Sequence, residues 1–301
     1  MAPGCGATSS NSIVADFSAT QPSHVDDNGP VAGAWAGLIF DTDGSLHVVH
    51  RDLHFGSAAA DFDASNLEYA HFGATKLGEI VTSRIVPASP VSQQVHGGGT
   101  YSHLVLTAGG EPAVSFGLGL TAPDDLSQVW FAKRTAANTW TRTMVSDVPG
   151  RVGHGPSLAY SATQGFAIGF LNGTQNDGDL LVATSADGTT WPAANTIEAL
   201  GDTGLHPAVA WSGPGSGATL GILYAFCHGP TYSGTAPCDP VAKQLRFRVP
   251  GANGPLSAWT APELVDPSVP DSTALIADAT GKFVAIWRDP AGGLKFSRRT
   301  P

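Results

Sequence analysis

The chain has 301 residues, 42% hydrophobic and 13% charged, and its 37 glycines and 22 prolines leave no amphipathic helical pattern of three uninterrupted turns. Its formal net charge of −10, with no basic stripe, argues against nucleic acid as the partner. No run approaches the roughly 20 apolar residues that a membrane-spanning helix needs.

Residues 1–11 are rich in Gly, Ser, Thr and Asn and read as a disordered leader or tether. Cys5 follows small residues and precedes this polar stretch, which resembles a trimmed bacterial lipoprotein N-terminus. That resemblance implies a lipid anchor at Cys5 as the chain's one membrane attachment. Ser12–Phe17 (SIVADF) reads as a short strand, and a loop follows it.

Beyond this loop one unit recurs. Its clearest copy is Gly155–Glu198, where three apolar or alternating runs and a weaker fourth are separated by Gly, Asn and Asp clusters. First-strand cores begin at Leu38, Leu104, Leu158, Val209 and Leu275. Third strands begin at Leu67, Val129, Leu180, Leu245 and Leu294, and two residues on stand Tyr69, Phe131, Val182, Phe247 and Phe296. Second strands obey the same rule: LHVVHRD from Leu46 aligns with FVAIWRD from Phe283. Fourth strands follow Trp140, Trp191 and Trp259, with Gly78–Val86 in the first unit.

Four strands per unit, repeated at roughly 50 residues, predict an all-β, five-bladed β-propeller of four-stranded antiparallel blades over residues 12–301. A single four-stranded sheet cannot bury both of its faces, so the units must pack on one another. The competing architecture is a β-sandwich. The fifth unit ends after three strands, and SIVADF is the natural fourth that closes the ring.

The segment Ser185–Trp191 (SADGTTW) resembles the Asp-box (BNR) repeat of sialidase-like propellers, and KRTAANTW ending at Trp140 resembles a degraded copy. The likeness extends over nearly the whole chain from about Ser12. It implies blade architecture and says little of activity, because lectins, glycosidases and inert scaffolds share it.

Chain direction alternates within a blade, so inter-blade and second-to-third connections share one face, the top. The Asp-box turns lie on the opposite face in a structural role, and binding residues are expected on the top loops. Just before the innermost strand of successive blades stand His24, His96, His154 and His206, with Asp271 in the fifth. Asp52, His54, Asn172, His228 and Asp289 fall on second-to-third connections of the same face.

Imidazoles and carboxylates converging on an axis suit a divalent transition metal: Zn, Cu, Fe, Mn or Ni. The metal ligands expected are His96, His154 and His206, with His228, Asp271 and His24 as adjuncts. The histidines can equally cap turns. A second reading is a carbohydrate-active enzyme using top-face aspartates, with Asp52, Asp271 and Asp289 as candidates. A third is a non-catalytic glycan- or protein-binding module. Of the five glutamates, Glu79, Glu111, Glu198 and Glu263 are placed on outer strands or the bottom, which weakens a glycosidase built on Glu. No sialidase catalytic residue can be carried over, because neither an Arg-Ile-Pro motif nor a clear Tyr/Glu pair is present.

Cys227 and Cys238 bracket a loop that a disulfide can staple, or they remain two separate thiols. A disulfide would place the protein in an oxidising compartment: cell surface, periplasm or medium. The expected ligand is a small molecule or glycan, and the expected state is a monomer.

Overall fold

The computed structural model describes residues 34–52, 66–74, 76–82, 95–120, 127–146, 155–174, 177–213, 215, 217–229, 238–239, 241–251, 258–270 and 272–299. These form an all-β chain of five antiparallel sheets, arranged as the blades of a propeller. Among them no helix is long and apolar enough to cross a membrane.

Blade one comprises β1 (Ala34–Phe40), β2 (Leu46–Asp52), β3 (Asn66–Phe72) and β4 (Lys76–Thr82). Blade two comprises β5 (Val95–Leu106), β6 (Pro112–Leu120), β7 (Ser127–Ala136) and β8 (Thr139–Ser146). Blade three comprises β9 (Ser157–Ser161), β10 (Gly165–Thr174), β11 (Asp177–Ser185) and β12 (Asn195–Glu198). Blade four comprises β13 (Asp202–Trp211), β14 (Leu220–His228), β15 (Gln244–Arg248) and β16 (Glu263–Asp266). Blade five comprises β17 (Thr273–Ala277), β18 (Phe283–Arg288) and β19 (Leu294–Arg298). In each blade the strands pair in sequence order, as expected of a meander.

The core lies between blades, and the two-residue period of a strand explains how one sheet serves two interfaces. In blade three, Leu158, Phe166, Ile168 and Phe170 pack with Ala113, Val129 and Phe131 of blade two. Their immediate neighbours Ala159 and Ala167 point the other way, joining Leu180 and Val182 against Val209, Ile222 and Tyr224 of blade four. Equivalent cores join blade one to two through Val49, Leu67, Tyr69 and Phe116, and blade four to five through Phe247, Leu275, Phe283 and Trp287. The recurring third-strand residues Tyr69, Phe131, Val182 and Phe247 are therefore buried, each toward the next blade.

Phe296, the fifth of that series, is exposed, as are Leu294, Ile276, Leu38 and Phe40. These residues sit on blades five and one. The strand expected to close the ring, Ser12–Phe17, lies outside the described residues, as does the leader with Cys5.

A second device repeats between blades. Arg134 on β7 donates from Nε and Nη2 to both oxygens of Glu79 on β4, at 2.6–3.1 Å. Arg299, just after β19, holds Glu263 on β16 with the same atoms at 2.8–3.2 Å. The pairing of third with fourth strand matches in register in blades one and four: Tyr69 faces Glu79 and Phe247 faces Glu263 across their sheets. Between blades three and four the acid is Glu198, which accepts from Arg246 Nη1 at 2.5 Å and from the Tyr224 hydroxyl.

The turn after β11 is built on side-chain oxygens. Asp187 Oδ1 accepts the amides of Thr189 and Thr190 at 2.8 and 3.1 Å, and Ser185 Oγ accepts that of Gly188 at 2.9 Å. Trp191 Nε1 donates to the Gly188 carbonyl at 3.1 Å, and its ring packs 5.1 Å from that of Phe131. Hydrogen bonds from Thr189, side chain foremost, hold the Asp187 carboxyl well below the usual range.

Candidate functional site

The end of the molecule at which β9, β13 and β17 begin receives the inter-blade and second-to-third connections. His24, His54, His154 and Asp271 lie outside the described residues. His96 is the second residue of β5, and Asp52 is the last of β2.

His206 lies within β13, in a stretch where the pairing with β14 shifts register between Leu205 and Ala208. Its φ of 47° is left-handed, and its carbonyl accepts Thr273 Oγ1 at 2.5 Å, tying blade four to blade five. Asp289 follows β18 and accepts Lys295 Nζ at 2.6 Å, with Asp266 on the same ammonium at 3.1 Å. The Lys295 hydrogen bond holds the Asp289 carboxyl below its ordinary value.

His228 occupies the last position of β14, and the structure gives it a different set of neighbours from that expected. Its side chain is 1% exposed, and its Nε2 lies 3.7 Å from Oδ2 of Asp202, itself 7% exposed. Asp202 opens β13 and pairs with His228 across the sheet. Among the described residues, the three side chains that bring possible metal-ligand atoms together are Asp202, Cys227 and His228, all within 4.8 Å of one another. Cys227 is bonded to Cys238, eleven residues on, which decides between the two sequence readings of these cysteines in favour of the disulfide.

Close backbone approach builds this corner. Gly201 has φ 77°, and a Cβ there would stand 2.0 Å from the His228 carbonyl oxygen. Gly178 on β11 donates its amide to Asp202 Oδ1 at 3.2 Å, and a Cβ there would stand 2.6 Å from that oxygen. One carboxylate oxygen is thus fixed from blade three while the other faces the imidazole. The backbone of the returning loop is held as well, since Asp239 N donates to the Cys227 carbonyl at 3.0 Å.

Sequence reasoning placed His228 in the site but missed Asp202. No spacing along the chain marks Asp202, whose place beside His228 comes from the pairing of β13 with β14. The glutamates Glu79, Glu198 and Glu263 fall on outer strands, as expected, where arginines hold them between blades.

No protein-family model matches the sequence, and no curated protein matches it. Among solved structures the chain is similar to a protein from Parabacteroides distasonis assigned as a glycoside hydrolase, with 10% identity over 89% of this chain and 86% of that one, at a TM-score of 0.50. It is similar to the NanB sialidase of Streptococcus pneumoniae, with 8% identity over 90% of this chain and 56% of that one, at 0.52. It is also similar to an ulvan lyase, with 13% identity over 89% and 66%, at 0.51. The chain spans little more than half of the sialidase's length. At these identities the likeness is one of fold: the chain shares a β-propeller architecture with these proteins.

Proposed function

We propose that this protein is an exported carbohydrate-active propeller that takes a glycan at the end where β13 and β17 begin. The observation carrying the reading is that a glycoside hydrolase, a sialidase and an ulvan lyase share the fold over about nine-tenths of this chain. The Cys227–Cys238 disulfide supports work in an oxidising compartment.

The charge at this end favours a neutral glycan. Arg246 is engaged with Glu198 and Lys295 with Asp266 and Asp289, while Asp202 and Asp239 add further acids. Even with Arg51 and Arg288 at the ends of β2 and β18, the carboxylates named here outnumber the cations at this end among the described residues, which disfavours an anionic sugar. Asp52, Asp271 and Asp289 remain the candidate carboxylates for chemistry, and Asp202 joins them through its place beside His228.

The test is a panel of neutral and uronic polysaccharides with chromogenic glycosides, read for reducing ends and for lyase unsaturation, alongside a glycan array. Turnover or binding confined to neutral glycans, and weakened by Asp289→Asn or Asp202→Asn, is expected. A protein that neither binds nor cleaves any glycan would end the proposal. The metal reading keeps one specific support, the Asp202, Cys227 and His228 group; His96, His154 and His206 remain proposed ligands, His96 and His206 within β5 and β13 and His154 outside the described residues.

A further inference from the structure

We propose that the Cys227–Cys238 disulfide and a zinc ion are alternative occupants of the same corner of blade four. With the disulfide reduced, Asp202, Cys227 and His228 become the core of a tetrahedral metal site, and Cys238 completes it.

The geometry carries this. Ligand atoms of Asp202, Cys227 and His228 lie within 4.8 Å of one another, a span that a small inward shift closes onto an ion with Zn–S of about 2.3 Å and Zn–N and Zn–O of about 2.0–2.2 Å. All three residues are buried. The carboxylate is oriented from behind by the Gly178 amide, which is the outer-shell support that metal-binding carboxylates require. The second sulfur comes from Cys238, which the disulfide holds beside Cys227 and which a backbone bond keeps close once the disulfide is reduced. Cys238 has its Cα 4.9 Å from that of Cys227, and the Asp239 N–H to Cys227 carbonyl bond next to it holds the two segments together at 3.0 Å. A Cys₂-His-Asp set is chemically suited to Zn²⁺ or Co²⁺.

In the oxidised protein neither sulfur is a thiolate, so the metal has two of its four ligands withdrawn. A phosphine supplies the two electrons that break the S–S bond and becomes the phosphine oxide. Water supplies that oxygen and the protons of the two thiols. Metal binding then expels both thiol protons to solvent. The chain therefore has one cross-link for a reducing compartment and another for an oxidising one, both tying the Cys238 segment to the end of β14.

Untagged full-length protein, reduced anaerobically with a phosphine, is titrated with Co²⁺ beside the oxidised protein. Expected in the reduced protein are thiolate-to-cobalt charge-transfer absorption and the ligand-field bands of a tetrahedral site. Both saturate at one equivalent and are lost to one equivalent of Zn²⁺. The oxidised protein shows neither. His228→Ala and Asp202→Asn weaken the reduced protein's affinity at least tenfold, and Cys227→Ser lowers the charge-transfer band by about half or more. Absence of that band in reduced wild-type protein overturns the proposal, as does equal cobalt binding by the oxidised protein. Because the buried variants can misfold, alkylation of wild-type thiols provides a second reading. Zinc must slow alkylation of both cysteines, and equal rates with and without zinc refute the site.

Discussion

The two matched arginine clasps allow burial to be separated from geometry. Arg134 grips Glu79 and Arg299 grips Glu263 through the same two nitrogens, but the Glu79 side chain is 0% exposed and that of Glu263 is 45%. Arg134→Met strands a buried carboxylate with two weaker donors, the Trp140 indole at 3.0 Å and the Asn138 amide. Breaking a buried pair in this way costs about 3–5 kcal/mol. Arg134 is itself 24% exposed and two donors remain, so the lower end, about 3 kcal/mol, is expected. With an unfolding entropy of about 2.1 cal/mol/K per residue, a 301-residue chain loses about 5 °C in Tm. Arg299→Met removes an exposed pair worth about 0–1 kcal/mol, or under about 2 °C.

The pH dependence has a definite sign. Burial acts to raise the Glu79 carboxyl, but the Arg134 hydrogen bonds, with those from Asn138 and Trp140, bring it below its ordinary value. The wild-type stabilisation is therefore fully present above the unfolded value of about 4.3 and is lost as pH falls through the lower folded value. In Arg134→Met burial is less opposed, so protonation relieves the variant and its deficit shrinks with acid. Thermal unfolding followed by circular dichroism at pH 7 and pH 4 measures all of this. Equal Tm losses for the two substitutions, or a deficit that grows with acid, would refute the reasoning.

Three further outcomes are expected. Gly201→Ala forces a Cβ against the His228 carbonyl from a left-handed backbone and costs at least about 3 kcal/mol, seen as a fall in urea midpoint at unchanged slope. Asp187 stays ionised at a pH where a free aspartate, near 3.9, is half protonated, and ¹³C carboxyl titration checks this against Asp187→Asn, which loses turn protection in amide exchange. Deleting residues 1–18 lowers Tm, because Ser12–Phe17 is the strand expected to close the ring at the three-stranded blade five; an unchanged Tm removes that strand from the fold.

The blade repeat was legible because it is written in steric terms that a sequence displays. Phe131 and Phe247 recur at one strand position, and their neighbours alternate between two interfaces, so the period-2 pattern and the unit length were both visible. The Glu79–Arg134 clasp was not, because its partners stand 55 residues apart and neither residue type announces a partner on another blade. Outer-strand placement of Glu79, Glu198 and Glu263 followed from topology alone.

The site was harder to read because repetition was its only sequence signal. Four histidines before successive inner strands invited an axial cluster, yet the backbone of β13 changes register around His206 and turns it left-handed, a feature that no spacing reveals. His228 lacks that repetition, and its chemistry comes from a residue on the neighbouring strand, Asp202, and from the cysteine beside it in the chain. Among the described residues, cross-strand pairing within blade four brings Asp202 beside His228, while His24, His154 and Asp271 of the expected axial set lie outside them. A propeller repeats its scaffold five times, but a site needs several different side chains at one place, and the β13–β14 hairpin of blade four brings Asp202, Cys227 and His228 together in this way.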